Sequence, residues 1–152
     1  DNFVAGLSMG GYGAFKLALN HPERYAAAAS LSGALDPIAF SREASAERQE
    51  EWGRIFGNPP QTAGAASDLF AMAMQMAAGP HAKMPLYQCC GKDDFIYENG
   101  LTFRNHALEL GLNVTYEEHA GESHEWGYWD RMIQRVLEWL PVGDVAMASK
   151  NV

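Results

Sequence analysis

The chain is short of cations and of cysteine. Its 152 residues hold 11 Lys or Arg against 19 Asp or Glu, a formal net charge of −8. The few cations form no cluster, so a phosphate backbone would be repelled and no nucleic-acid partner is expected. No apolar run reaches the ~18 residues of a membrane span, so no membrane partner is expected. There are two cysteines, no C-x-x-C and no H-E-x-x-H; neither a metal nor another cofactor is expected. Cys89 and Cys90 are adjacent. Neighbours in a strand point to opposite faces, so a disulfide between them would be strained. They read as free thiols, which favours a reducing compartment and an expected cytoplasmic location. Repeats and low-complexity tracts are absent too.

What is present suffices for one core, since 47% of the residues are apolar. Residues 2–6 read as a short buried strand, and 9–20 as a helix stopped by His21-Pro22. Residues 25–32 form a small, continuous apolar run, the pattern of a strand covered on both faces. Residues 41–56 are polar with helical spacing, and Asn58-Pro59-Pro60 predicts a turn. A Met-rich helix is expected over 67–78, with Ser67 as its N-cap. Strands at 85–90 and 114–119 then alternate with helices at 97–110 and 124–140; Gly111 closes the first of these and Pro141 stops the second. This β-α-β-(insert)-β-α-β-α order predicts a mostly parallel sheet with helices on both faces. Residues 34–81 read as a cap-like insert of a single domain spanning 1–140, and 141–152 as a frayed tail.

Between the first strand and the first helix stands Gly6-Leu7-Ser8-Met9-Gly10, followed by Gly11-Tyr12-Gly13. A G-x-S-x-G pentapeptide in that position is the nucleophile elbow of α/β-hydrolases. A serine hydroxyl needs a base to become a nucleophile. The strained elbow lifts it clear of its neighbours, and Gly6 and Gly10 remove the clashes that bulkier residues would make. The helix N-terminus behind it points free N–H groups at the serine, which makes the backbone N–H of Met9 the natural oxyanion donor. Ser30 and Ser32 lack such a turn and read as structural.

In this fold the triad runs Ser, acid, His along the chain, with acid and base on loops after later strands. The loop Gly91-Lys92-Asp93-Asp94-Phe95 offers two carboxylates. Asp94 is preferred because the acid must point back across the sheet edge after the turn; Asp93 is the alternative, and either can cap the helix near Tyr97. Five histidines compete for the base. His21, His81 and His106 read as a helix stop, a turn residue and a helical side chain, and His119 as a strand-end residue. His124 lies on the loop after the last strand, just ahead of a helix, and is the expected general base.

These three segments together resemble the esterase D group of serine hydrolases, which takes in tributyrin-esterase-like carboxylesterases and S-formylglutathione hydrolases. The elbow Leu7-Ser8-Met9-Gly10-Gly11-Tyr12-Gly13 and the segment His124-Glu125-Trp126-Gly127-Tyr128-Trp129 are closer to the tributyrin-esterase branch. The resemblance implies Ser8 as nucleophile, Asp94 as acid, His124 as base, small ester substrates and no cofactor. It also implies earlier strands and a loop that donates a second oxyanion N–H. This sequence opens a few residues before the elbow, so it is expected to be the C-terminal portion of such a domain, with the N-terminal strands missing.

Candidate pocket residues are Met72 and Met74 in the insert and Trp126 and Trp129 after the base. By helical spacing Leu69, Phe70, Ala73 and Met76 face inward. The two tryptophans either wall the acyl site or fill the core. The expected function is a serine carboxylesterase acting on short-chain acyl esters through an acyl-enzyme on Ser8. One rival is an S-formylglutathione hydrolase, whose acidic leaving group would need a basic pocket; Lys16, Arg42, Arg48, Arg54 and Lys92 are the candidates. A carbohydrate acetyl or feruloyl esterase is another rival. From a different class, a non-catalytic binding module on a hydrolase scaffold is weighed against all of these. The expected partner is a small ester, and homo-oligomerisation stays open.

Overall fold

The computed structural model describes residues 2–57 and 66–142. Four strands, β1 (Phe3–Leu7), β2 (Ala27–Leu31), β3 (Leu86–Gly91) and β4 (Val114–His119), form one sheet in the order β1-β2-β3-β4, every pair parallel. The helices are α1 (Met9–Asn20), α2 (Pro37–Glu43), α3 (Ala46–Phe56), α4 (Leu69–Ala77), α5 (Tyr97–Glu109) and α6 (Trp126–Trp139). The strand and helix alternation is the one expected. Asn58-Pro59-Pro60 lies outside the described residues, as does nearly all of the expected tail.

Both central strands are buried along their whole length, because the sheet is covered on each side. Ala28 and Leu86 face a core built with Tyr12, Phe15, Leu19, Leu69, Met72, Met76 and Phe103, so α1, α4 and α5 pack on that side. Ala29, Leu31, Tyr87 and Cys89 face the other way, onto Tyr128, Trp129, Met132 and Val136 of α6. Alternation along a strand thus sends successive residues into two cores. Cys89 and Cys90 are unpaired and buried, one on each face, and burial pushes each thiol up to about 12.

The insert departs from its expected outline. Residues 41–56 are not one helix. The backbone at Ala44 is extended (φ −76°, ψ 158°), and the Ser45 hydroxyl accepts from Arg48 N–H to start α3 afresh. Asp36 starts α2 by accepting from Ala39 N–H at 2.9 Å, with Pro37 in the first turn. The cap of α4 is Asp68, not Ser67: the carboxylate accepts from Phe70 and Ala71 N–H groups. Ser67 serves instead as an anchor, its carbonyl accepting from the Tyr12 hydroxyl at 2.9 Å. No helix among the described residues is long and apolar enough to cross a membrane.

Candidate active site

Ser8 sits between β1 and α1 with φ 53° and ψ −123°, a conformation rarely open to a side-chain-bearing residue. Backbone hydrogen bonds hold it there. Its N–H donates to the Leu31 carbonyl of β2 at 2.9 Å, and its carbonyl accepts from Gly11 and Ala34 N–H groups at 3.0 and 3.2 Å. The turn is so tight that a Cβ on Gly6 would collide with the Gly10 carbonyl. Met9 opens α1, so its N–H belongs to the first turn, where the helix itself supplies no acceptor.

The loops after β3 and β4 are stitched together by backbone hydrogen bonds. Lys92 N–H donates to the His119 carbonyl at 2.9 Å, and Asp93 N–H to the Glu122 carbonyl at 3.0 Å. Gly91 admits this approach; a Cβ there would meet the Glu122 carbonyl. The result brings Asp94, His124 and Ser8 together. His124 Nδ1 lies 3.0 Å from both Asp94 carboxylate oxygens, and Nε2 lies 3.0 Å from Ser8 Oγ. Asp94 is buried, with Oδ1 also accepting from Ile96 N–H at 3.1 Å, whereas the Asp93 side chain is exposed. The imidazole is flanked by two rings: Phe95 at 4.7 Å and Trp129 edge-on at 4.8 Å. With the proton on Nδ1 held by Asp94, Nε2 is the nitrogen left to accept the serine proton.

The other histidines lie elsewhere. His119 contacts the Tyr128 hydroxyl at 3.2 Å and Glu117 at 3.6 Å, His106 meets the Phe70 carbonyl at 3.4 Å, and His21 lies 3.7 Å from Glu23. His81 accepts through its carbonyl in the turn before β3.

Ser8 and Met9 open into a cleft of about 380 Å³, completed by Ala34, Phe40, Ala44, Arg48, Trp52, Phe95 and Ile96. Residues of α2 and α3 wall this cleft, and the methionines of α4 do not. Met72 is in the core, because Leu69, Met72, Ala73 and Met76 form the stripe that packs on α1. Phe70 is only partly buried, against Phe103 and His106. Met74 is 55% exposed on the opposite face. Trp126 and Trp129 line a separate hollow of about 340 Å³ along β1, with Ala5, Gly6, Leu7, Leu31, Asp130 and Ile133. Trp129 fills core and backs the imidazole, while Trp126 is largely exposed. No sequence motif groups the wall residues Phe40, Arg48 and Trp52, which come from two helices; their signal is the i, i+4 pair Arg48/Trp52 on a polar helix.

A family model described as "Putative esterase" matches residues 1–140. The chain belongs to this esterase family. It is 30% identical over 144 residues to an acetyl esterase of Caldicellulosiruptor saccharolyticus, which covers 91% of this chain and 53% of that protein. Among solved structures it resembles an S-formylglutathione hydrolase of Staphylococcus aureus (TM-score 0.78, 30% identity, 92% of this chain and 54% of that one). A second is a fluorophosphonate-binding serine hydrolase of the same organism (TM-score 0.79, 30% identity, with the same coverage). The fold of this esterase-family chain is therefore that of an α/β-hydrolase. The chain spans about half the length of the relatives it matches.

Proposed function

We propose that the protein carrying this chain is a serine carboxylesterase for short-chain acyl esters, with Ser8 as nucleophile, His124 as general base, Asp94 as the acid and the Met9 N–H as an oxyanion donor. The observation that carries the reading is the unbroken line Ser8 Oγ–His124 Nε2 at 3.0 Å and His124 Nδ1–Asp94 at 3.0 Å, mounted on a strained elbow. His124 takes the Ser8 proton as the oxygen attacks the ester carbonyl. Asp94 steadies the imidazolium, and N–H donors at the start of α1 hold the oxyanion. His124 then protonates the leaving alcohol, which leaves an acyl group on Ser8. Water, activated by the same imidazole, releases the acid.

A small acyl group suits a cleft of about 380 Å³ walled by Ala34, Phe40, Trp52, Phe95 and Ile96. The acetyl esterase relative supports the same size class. The reading extends to residues 1–140 as part of one domain with a cap-like segment at 34–81, to no cofactor, and to a cytoplasmic location. A fluorophosphonate probe tests it on the full-length protein. Labelling that Ser8→Ala abolishes is expected. Folded protein that takes no label would instead mark a non-catalytic binding module on this scaffold.

A further inference from the structure

Of the five cations that could have made a basic pocket, Arg48 alone lines the cleft that opens on Ser8. Arg42 belongs to a different depression, with Asp36, Asp68 and Thr102. Lys92 holds Glu118 at 2.6 Å, Arg54 holds Glu50 at 2.6 Å, and Lys16 reaches the Ser67 hydroxyl at 3.4 Å. The Arg48 guanidinium has no such partner among the described residues; its recorded bond is the backbone N–H to the Ser45 hydroxyl. Every other side chain on the wall is apolar apart from the nucleophile itself. Arg48 is solvent-exposed at the mouth of an apolar cleft, with no counter-ion among the described residues, in a chain of net charge −8, so its guanidinium is free to receive an anion there.

We infer that Arg48 is a specificity residue that receives a carboxylate on the substrate, so that the preferred esters are small and carry one negative charge away from the scissile bond. This rests on the esterase reading above. The apolar wall holds the carbon skeleton and the guanidinium holds the carboxylate, while Ser8 attacks the ester carbonyl between them. Because an arginine presents two parallel N–H donors to a carboxylate, position is selected as well as charge. The carboxylate can sit on the acyl side, as in a half-ester of a dicarboxylic acid, or on the leaving alcohol.

Steady-state kinetics on the full-length protein tests this with three esters: phenyl butyrate, monophenyl succinate and 4-carboxyphenyl butyrate. The succinate puts a carboxylate where butyrate has a methyl group. The carboxyphenyl ester puts it on the leaving group. The wild type is expected to favour one of the two anions over phenyl butyrate in kcat/KM, chiefly through a lower KM, and which one identifies the side. Arg48→Gln is expected to collapse that ratio by about tenfold or more, and Arg48→Lys to restore part of it. Added salt should erode the preference in the wild type only. A wild type indifferent to the charge, or a ratio that Arg48→Gln leaves intact, overturns the inference and spares the esterase. Failure to hydrolyse any of the three overturns both.

Discussion

His124 Nδ1 stands 3.0 Å from both carboxylate oxygens of Asp94, and the Asp94 side chain has no solvent exposure. A buried carboxylate that faces an imidazole so squarely fixes its tautomer and its orientation. Asp93, one residue earlier, contributes its backbone N–H to the loop and leaves its carboxylate in solvent. Asp94→Asn in the full-length protein should therefore lower kcat by about 10³–10⁴-fold, while Asp93→Asn should leave it near wild type. Ester turnover by the two variants checks the assignment, and the reverse ranking would transfer the role to Asp93.

The serine and the imidazole of the hydrogen-bonded line carry a second prediction. Ser8→Ala and His124→Ala should each lose about 10³-fold or more in kcat, and the double variant should lose little beyond either one, because the pair acts as a unit. His119→Ala is the control: this imidazole sits on Tyr128 and Glu117, away from the serine. A loss at His119 equal to that at His124 would count against the arrangement.

Much of this site was legible because its chemistry is tied to local backbone. The elbow announces itself through Gly6, Gly10 and Gly11, and a Cβ on Gly11 would indeed press on Ser30 Oγ and Gly33. The acid and the base follow strands that end at or just before Gly91 and Gly121. The cleft wall was not legible, because it is made by tertiary packing. Phe40, Arg48 and Trp52 belong to two helices that the sequence presents as one polar stretch. The break rests on an extended Ala44 and a serine cap, and Ser45 looks like any other serine in such a run. Met72 is ambiguous in the sequence for a related reason. A methionine suits a pocket wall and a core stripe equally, and only the position of α1 decides between them.

Backbone approach at the two loops gives a third prediction. Ala at position 6 would drive a methyl into the Gly10 carbonyl, and Ala at 91 would drive one into the Glu122 carbonyl. Neither obstacle is a flexible side-chain end. Each substitution should cost about 1–3 kcal/mol of stability. Gly6→Ala should also displace the elbow, and Gly91→Ala the loop that carries His124. Denaturant melts and ester turnover on the same samples would show both effects. Gly127→Ala is the neutral comparison, since a Cβ there would come no nearer than 3.8 Å to the Arg131 side chain. Equal behaviour of the three variants would refute the steric argument.

Glu117 supplies a pH-dependent prediction remote from the serine. Partial burial works to raise its pKa, but hydrogen bonds from Arg135 Nε and the Tyr87 hydroxyl, both 2.8 Å, outweigh it and hold the carboxyl below its ordinary range. His119, 3.6 Å away, adds to the same effect when charged. A carboxyl whose folded pKa is depressed contributes stability above its unfolded pKa and forfeits it as pH falls through the folded value. Glu117→Gln should therefore melt below the wild type at pH 7, and the gap should close as the pH drops through and below the ordinary carboxylate range. Thermal melts of both proteins from pH 7 down to pH 3 measure it. A gap that stays constant over that interval would mean that Glu117 holds β4 to α6 by shape and neutral hydrogen bonding rather than by its charge.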